Sequence, residues 1–269
     1  MFCIEFDTEQ PELLIGLLST YPFEGFQEFE ERVEAYIESV AWNAIENDVL
    51  AAIEGISTLR KADRLPDKNW NAVWEASFSP VIIDDFCAIR ASFHPPITTC
   101  QHEIIIDPKM AFGTGHHETT ELMIRQMHNM DFAGKTVLDL GCGTGILAIL
   151  AVKLGATEVI AVDNDPEAVS NAKENSTING VHITCIHGII EDLPTHGYDR
   201  VLANINRNVL LEIMPDIKRV LRPDGILLLS GILVEDKAVI ERTAHLENLY
   251  RQNEQSLGEW LSILMMVDK

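Results

Sequence analysis

The stretch Thr136–Pro166, T-V-L-D-L-G-C-G-T-G-I-L-A-I-L-A-V-K-L-G-A-T-E-V-I-A-V-D-N-D-P, constrains the fold more than any other part of the chain. A largely apolar run, Val137–Leu140, ends in three glycines, Gly141, Gly143 and Gly145. Ile146–Leu154 has the composition of a helix, and a second apolar run, Val159–Val162, closes on Asp163. The order is strand, glycine turn, helix and strand with a terminal carboxylate. A unit of this kind receives a nucleoside-bearing ligand at the carboxyl edge of its strands.

Glycine spacing narrows the ligand. Dinucleotide folds use G-x-G-x-x-G, whose turn and helix N-terminus receive a pyrophosphate. Here the spacing is G-x-G-x-G, and Asp139 two residues upstream would repel a phosphate. That carboxylate can accept hydrogen bonds from a ligand amine, and Asp163 is placed to hold a ribose diol. An amine, a ribose and no phosphate describe S-adenosylmethionine. NAD is the rival cofactor, and an ordinary βαβ turn with incidental glycines is the bland reading. Val137–Asp163 resembles motifs I and II of the class I methyltransferases.

The chain has 269 residues, of which 46% are hydrophobic, enough for one large or two modest domains. Its formal charge of −22, from 42 acids and 20 bases, argues against a long nucleic-acid footprint, which needs Lys and Arg. The same charge suits a basic protein partner, or simply keeps the protein soluble. Five scattered cysteines (Cys3, Cys87, Cys100, Cys142 and Cys185) form no C-x-x-C pair, so free thiols in a reducing compartment are expected. The N-terminus opens with acids rather than a signal peptide, and no apolar run reaches membrane-span length. A cytoplasmic monomer with no membrane contact is expected.

Residues 1–65 have a pattern of their own. Cys3–Asp7 alternates like a strand, and Glu9–Leu18 has helical spacing through Leu13, Leu14, Leu17 and Leu18. Gly25–Glu31 and Arg32–Val40 alternate again, Asn43–Ile56 is helical, and Ile56–Leu65 is a last strand. The order β-α-β-β-α-β predicts a small ferredoxin-like α+β domain. No catalytic constellation is visible in it, which suggests recognition. Residues 1–100 hold 18 acids and 6 bases, a denser negative charge than in the rest of the chain. A short linker helix is predicted over 66–80, with Trp70, Val73, Trp74 and Phe78 at helical spacing. The second domain, 81–269, starts with a hairpin, Val81–Ile83 and Phe86–Ala91, around Asp84-Asp85.

The second informative stretch follows the short strand Ile104–Ile106 and runs from Asp107 to Thr120. Gly113 and Gly115 make a close-approach loop, and Thr119 or Thr120 can open the next helix. Such a loop can close over a cofactor, through Phe112, Thr114 and Gly115. His116-His117 invites a metal reading, but adjacent residues rarely ligate one ion and no carboxylates are spaced to help; no metal is expected. The succession F-G-T-G-H-H-E-T-T (112–120), D-L-G-C-G-T-G, A-V-D-N-D-P and A-N-I resembles the bacterial PrmA family, methyltransferases of a large-subunit ribosomal protein. The resemblance implies S-adenosylmethionine as cofactor and amino groups as acceptors. It implies a ferredoxin-like substrate-recognition domain, a linker, and a class I methyltransferase domain with a seven-stranded mixed sheet. Thr120, Gly141 and Asp163 are carried over as cofactor residues, and Gly143 of the same turn is a further cofactor candidate. Where the family usually has glycine after the D-P of the loop, this chain has Lys109.

Past Asp163, Pro166 opens a helix to about Ile178, and Val181–Cys185 is the next strand. Glu191-Asp192 lies where class I methyltransferases contact adenine, so Glu191 is a candidate for the exocyclic amine. Tyr198–Asn204 is a strand ending beside the methyl group, which makes Asn204 the candidate for orienting the acceptor amine as well as touching the cofactor. The sequence Asn204-Ile205-Asn206 lacks the N-P-P-Y aromatic that stacks on flat amino groups, so an aliphatic amine is favoured. Val209–Leu221 is predicted as a helix interrupted near Pro215, Arg222–Gly225 as a turn, Ile226–Ser230 as a buried strand, Glu235–Leu246 as a helix, and 248–254 with 259–267 as a closing hairpin. The expected function is protein N-methylation of lysine or N-terminal amines. A small-molecule N-methyltransferase and a non-catalytic cofactor-binding regulator remain as alternatives.

Overall fold

A computed structural model describes residues 2–29, 31–64, 79–107, 113, 115–193 and 197–268. Contacts divide the chain into two units, Met1–Phe78 and Ser79–Lys269.

The first unit runs β1 (Phe2–Thr8), α1 (Pro11–Leu18), β2 (Gly25–Phe29), β3 (Arg32–Ile37), α2 (Ser39–Ala52) and β4 (Ser57–Arg64). Its sheet has the order β2-β3-β1-β4 with every pair antiparallel, the ferredoxin-like arrangement. Strand alternation explains it: Ile4, Phe6, Val33, Ala35 and Ile37 point to one face and pack under Leu14, Leu18, Trp42, Val49 and Ile53. Glu5, Asp7, Arg32 and Glu34 lie on the other face, where Arg32 pairs with Glu34 at 3.2 Å and Arg60 with Asp7 at 3.1 Å. The second helix lies earlier than expected, Ser39–Ala52 rather than Asn43–Ile56, and β3 ends at Ile37. Val40 belongs to α2 rather than to β3 and is 80% exposed, because burial of Trp42 starts the helix at Ser39. The linker helix expected over 66–80 lies almost wholly outside the described residues.

The second unit opens with β5 (Val81–Ile83), β6 (Cys87–Arg90) and β7 (His102–Ile105), a sheet of its own. The hairpin was legible; the parallel pairing of β7 with β6 was not. Then come α3 (Glu118–His128), β8 (Thr136–Leu140), α4 (Ile146–Lys153), β9 (Glu158–Asp163), α5 (Pro166–Ile178), β10 (Thr184–His187) and β11 (Tyr198–Asn204). The chain closes with α6 (Arg207–Val220), β12 (Leu221–Leu233), α7 (Lys237–Leu246), β13 (Leu249–Leu257) and β14 (Trp260–Val267). The main sheet has the order β10-β9-β8-β11-β12-β14-β13. It is parallel through β12, and β14 runs antiparallel to both its neighbours. Two apolar cores cover its faces. One includes the whole of Ile146–Ala151, so α4 is apolar on every side; the other takes the stripe Leu210, Ile213, Met214, Ile217 and Val220 of α6.

Two predicted breaks are absent. Helix α6 runs through Pro215, since that buried stripe outweighs one lost backbone bond. Arg222–Gly225 is an excursion within β12 rather than a separate turn: Tyr198 pairs with Leu221 and Arg200 already with Ile226.

Candidate functional site

Parallel register brings the ends of β8, β9, β11 and β12 to one edge. Leu140 pairs with Val162, Ala203 with Leu140, and Asn204 with Ser230. The order reverses between β8 and β11, and a doubly wound sheet opens a crevice at that point.

The turn after β8 is built by glycines because nothing larger fits. Gly141 has φ +68°, and a Cβ on it would stand 2.4 Å from Ile205 Cγ2. The Gly143 N–H donates to Asp163 Oδ2 at 2.9 Å, while Asp163 Oδ1 accepts from the Asp165 N–H at 3.0 Å. The carboxylate is thus aimed by two backbone donors and keeps further lone pairs for a ligand. Two adjoining cavities, of about 550 and 310 Å³, share Gly141, Asp163, Asn164, Ile205 and Asn206. The larger also reaches Gly143, Asn204, His117 and Trp260. The smaller is walled by Ile189, Ile190, Val209 and Ile213, an apolar slot with the carboxylates of Glu191 and Glu212 beside the shared Asp163.

Gly141, Gly143, Asp163, Glu191 and Asn204 therefore come together around one crevice. Thr120 is behind it: only 1% exposed, its Oγ1 accepts from Asn204 Nδ2 at 3.5 Å. Asn204 Oδ1 is buried without a protein partner. Asp139, read as a ligand contact, lies beneath the turn instead. It is 1% exposed, lines neither cavity, and accepts from the Ala148 N–H at 3.0 Å. Burial, and then the charge of Asp163, raise its pKa to about 7. Gly115 has φ +92° and packs on Ile89, so close that a Cβ would come within 2.7 Å of Ile89 Cδ1; it lines neither cavity. Phe112 and Thr114 fall outside the described residues.

Helix α3 is opened by His117 rather than by Thr119 or Thr120. The His117 Nδ1 accepts from the Thr119 N–H at 3.2 Å, an imidazole in the role of a capping hydroxyl. His116 Nε2 instead reaches Ser79 O at 2.9 Å, so the adjacent rings go to different partners. Sequence reasoning missed three contributors. Trp260 starts β14 and meets the His117 ring edge-on at 4.7 Å. Gly231 has φ +82°, and a Cβ there would lie 2.3 Å from Ile205 O. Ile205 itself closes over Gly141. The G-I-L of residues 231–233 carried no local signal, because its need for glycine comes from a loop 26 residues away.

Residues 20–267 match the family described as Ribosomal protein L11 methyltransferase (PrmA). The chain belongs to this family. It is 39% identical over 267 residues to the ribosomal protein L11 methyltransferase of Porphyromonas gingivalis, covering 96% of this chain and 91% of that one. Against the protein of the same name from Chlorobaculum tepidum it is 39% identical over 274 residues, covering 97% and 94%. A crystal structure of a ribosomal protein L11 methylase from Lactobacillus delbrueckii subsp. bulgaricus superposes with a TM-score of 0.65 at 30% identity, over 70% of this chain and 98% of that one. A methyltransferase from Pyrococcus furiosus, 17% identical with a TM-score of 0.51 over 61% of this chain and 88% of that one, shares the fold.

The chain is accordingly a class I methyltransferase enzyme, and S-adenosylmethionine is its methyl donor. The crevice fits that donor. Among the described lining residues there is no Lys or Arg, so a pyrophosphate would find no counter-charge. A cationic sulfonium with a ribose meets the Asp163 carboxylate and an apolar slot instead.

Proposed function

We propose that this enzyme methylates aliphatic amino groups, lysine side chains or an N-terminal amine, of a large-subunit ribosomal protein. The observation that carries the reading is Asn204. Its Oδ1 is a buried acceptor with no protein partner at the end of β11, in the same cavity as Gly141 and Asp163. An unpaired buried acceptor costs about 1–3 kcal/mol, and a substrate N–H would repay that cost. Its Nδ2 end is steadied by Thr120.

The donor supplies a methyl group already activated on a sulfonium. The chain's own residues supply position. Gly141 and Gly143 form the floor, Asp163 holds the ribose, and Glu191 faces the adenine end. Asn204 aims the amine along the transfer direction; near-attack placement at about 3 Å is where such an enzyme gains most of its rate. A lysine amine must first shed a proton from a group of pKa about 10.4. The residues after Asn204 are Ile205 and Asn206, so the aromatic of N-P-P-Y is absent from that position. The relatives are named for methylation of ribosomal protein L11, and the acidic first domain suits a basic partner of that kind. We read that domain, 1–65, as the recognition unit, and the setting as cytoplasmic; no helix among the described residues is long and apolar enough to cross a membrane.

Transfer from labelled S-adenosylmethionine to ribosomal proteins of a strain lacking the enzyme tests the reading, with products mapped by mass spectrometry. Label on amines of one large-subunit protein is expected. Label only in RNA or in small molecules would overturn the substrate and leave the fold.

A further inference from the structure

Helix α5 carries Asn171 and Asn175, and is capped by Asn179, so three amides at i, i+4 and i+8 share one face. Asparagine is disfavoured inside helices because its amide competes with the backbone, yet Asn171 is 1% and Asn175 0% exposed. A buried amide must find several partners, and here the partners reveal its use.

Asn179 accepts from the Ile105 N–H at 2.9 Å and donates to the Ile105 carbonyl at 2.6 Å, standing in for a neighbouring strand on the open edge of β7. Asn171 donates to the Asp107 carbonyl at 3.4 Å. Asn175 differs from both because it bridges two segments. Its Oδ1 accepts from the Asp107 N–H at 3.2 Å, and its Nδ2 donates to the Thr144 carbonyl at 2.9 Å and to Asn171 Oδ1 at 3.3 Å. Thr144 lies in the glycine turn, next to the Gly143 N–H that holds Asp163. Its hydroxyl donates to the Gly113 carbonyl at 2.6 Å. The helix is pressed against the turn: a Cβ on Gly145 would lie 3.0 Å from Ala172 Cβ.

We propose that Asn175 is a positioning residue that couples the cofactor turn at Thr144 to the segment leaving β7 at Asp107. The single buried amide donates to one and accepts from the other. Displacement of the turn is therefore felt at Asp107. Coupling of this kind is reciprocal: occupancy of the turn steadies Asp107, and loss of the bridge weakens occupancy. The inference rests on the cofactor reading of the turn given above.

The experiment compares the full-length protein with Asn175→Asp, nearly isosteric but with an acceptor facing the Thr144 carbonyl, and with Asn179→Asp, which disturbs the edge of β7 and a bond to the Asn175 carbonyl but leaves the Asn175 side chain's own bonds to Asp107 and Thr144 in place. Binding of S-adenosylhomocysteine is measured by calorimetry, and amide exchange at Asp107 with and without that ligand. In the wild type the ligand slows exchange at Asp107. N175D raises Kd about tenfold or more and loses that ligand-dependent slowing. N179D lowers Tm but keeps Kd within about twofold and keeps the slowing. If N175D does not fold, Asn171→Ala, which strips one partner from the bridge, is read the same way, with a Kd rise of about threefold expected. Wild-type Kd and wild-type slowing in N175D (or in N171A) would overturn the proposal, as would an equal loss of affinity in N179D. Absence of binding to the wild-type protein would instead sink the cofactor reading beneath it.

Discussion

Replacing Asp163 by alanine removes the group on which both the turn and the ligand depend. In the free protein its carboxylate accepts from the N–H groups of Gly143 at 2.9 Å and Asp165 at 3.0 Å. A hydrogen bond to a charged group contributes about 1.5–3 kcal/mol net. Asp163 is half-exposed and borders two cavities, so water replaces it at both donors and the low end applies. Folding stability should fall by about 3 kcal/mol, read from urea unfolding. Binding should fall by a similar amount. Two accepted bonds from a ribose diol at the same low end come to about 3 kcal/mol, which at 1.4 kcal/mol per decade is a Kd rise of roughly 100-fold. Calorimetric titration with S-adenosylhomocysteine gives Kd, and circular dichroism first shows that the variant is folded. Asp163→Asn, which retains one acceptor oxygen, should land between the two. A folded alanine variant with Kd within about threefold of wild type would refute both the ribose assignment and the reasoning from the turn.

Asn204→Ala should lower kcat by about 100-fold or more through lost orientation, while Tm holds or rises because a buried unpaired acceptor is removed; unaltered kcat with a protein substrate would count against its role. Gly141→Ala places a Cβ 2.4 Å from Ile205 Cγ2 at φ +68° and should cost about 2–4 kcal/mol in urea unfolding; adding Ile205→Ala should recover the steric part but not the part due to positive φ. Asp139 supplies a pH dependence. Its folded pKa, raised from 3.8 to about 7 by burial, exceeds its unfolded value, so the folded state binds the extra proton and this group's contribution to stability falls as pH rises from about 4 to 7, then levels. Asp139→Asn should flatten that slope relative to wild type in unfolding measured between pH 5 and 8; parallel curves would disprove it.

Local patterns account for much of what was legible beforehand. The βαβ unit could be anticipated because parallel strands buried on both faces read as apolar runs, as in Val159–Val162, and because Gly141, Gly143 and Gly145 mark the turn by composition alone; the count of seven strands came with the family resemblance. The β-α-β-β-α-β order of the first unit was visible in the alternation of Ile4-Phe6 and Val33-Ala35-Ile37. Errors arose where distant packing decides. Pro215 looked like a break until the buried face of α6 was seen, and Asp139 looked like a ligand group until α4 was found to cap it. Trp260 and Gly231 were invisible because each owes its place to a partner far along the chain.

The sequence by itself determined the element order, the glycine turn with Asp163 at the neighbouring strand end, and Asn204 after an apolar strand. These follow from periodicity and backbone conformational preference, which act over a few residues. Only the tertiary structure decided which carboxylate faces the crevice and which is buried beneath it, and which buried amide joins Asp107 to Thr144. Burial and hydrogen-bond partnership depend on segments 30 to 70 residues apart meeting in space, and that proximity exists only once the chain has folded.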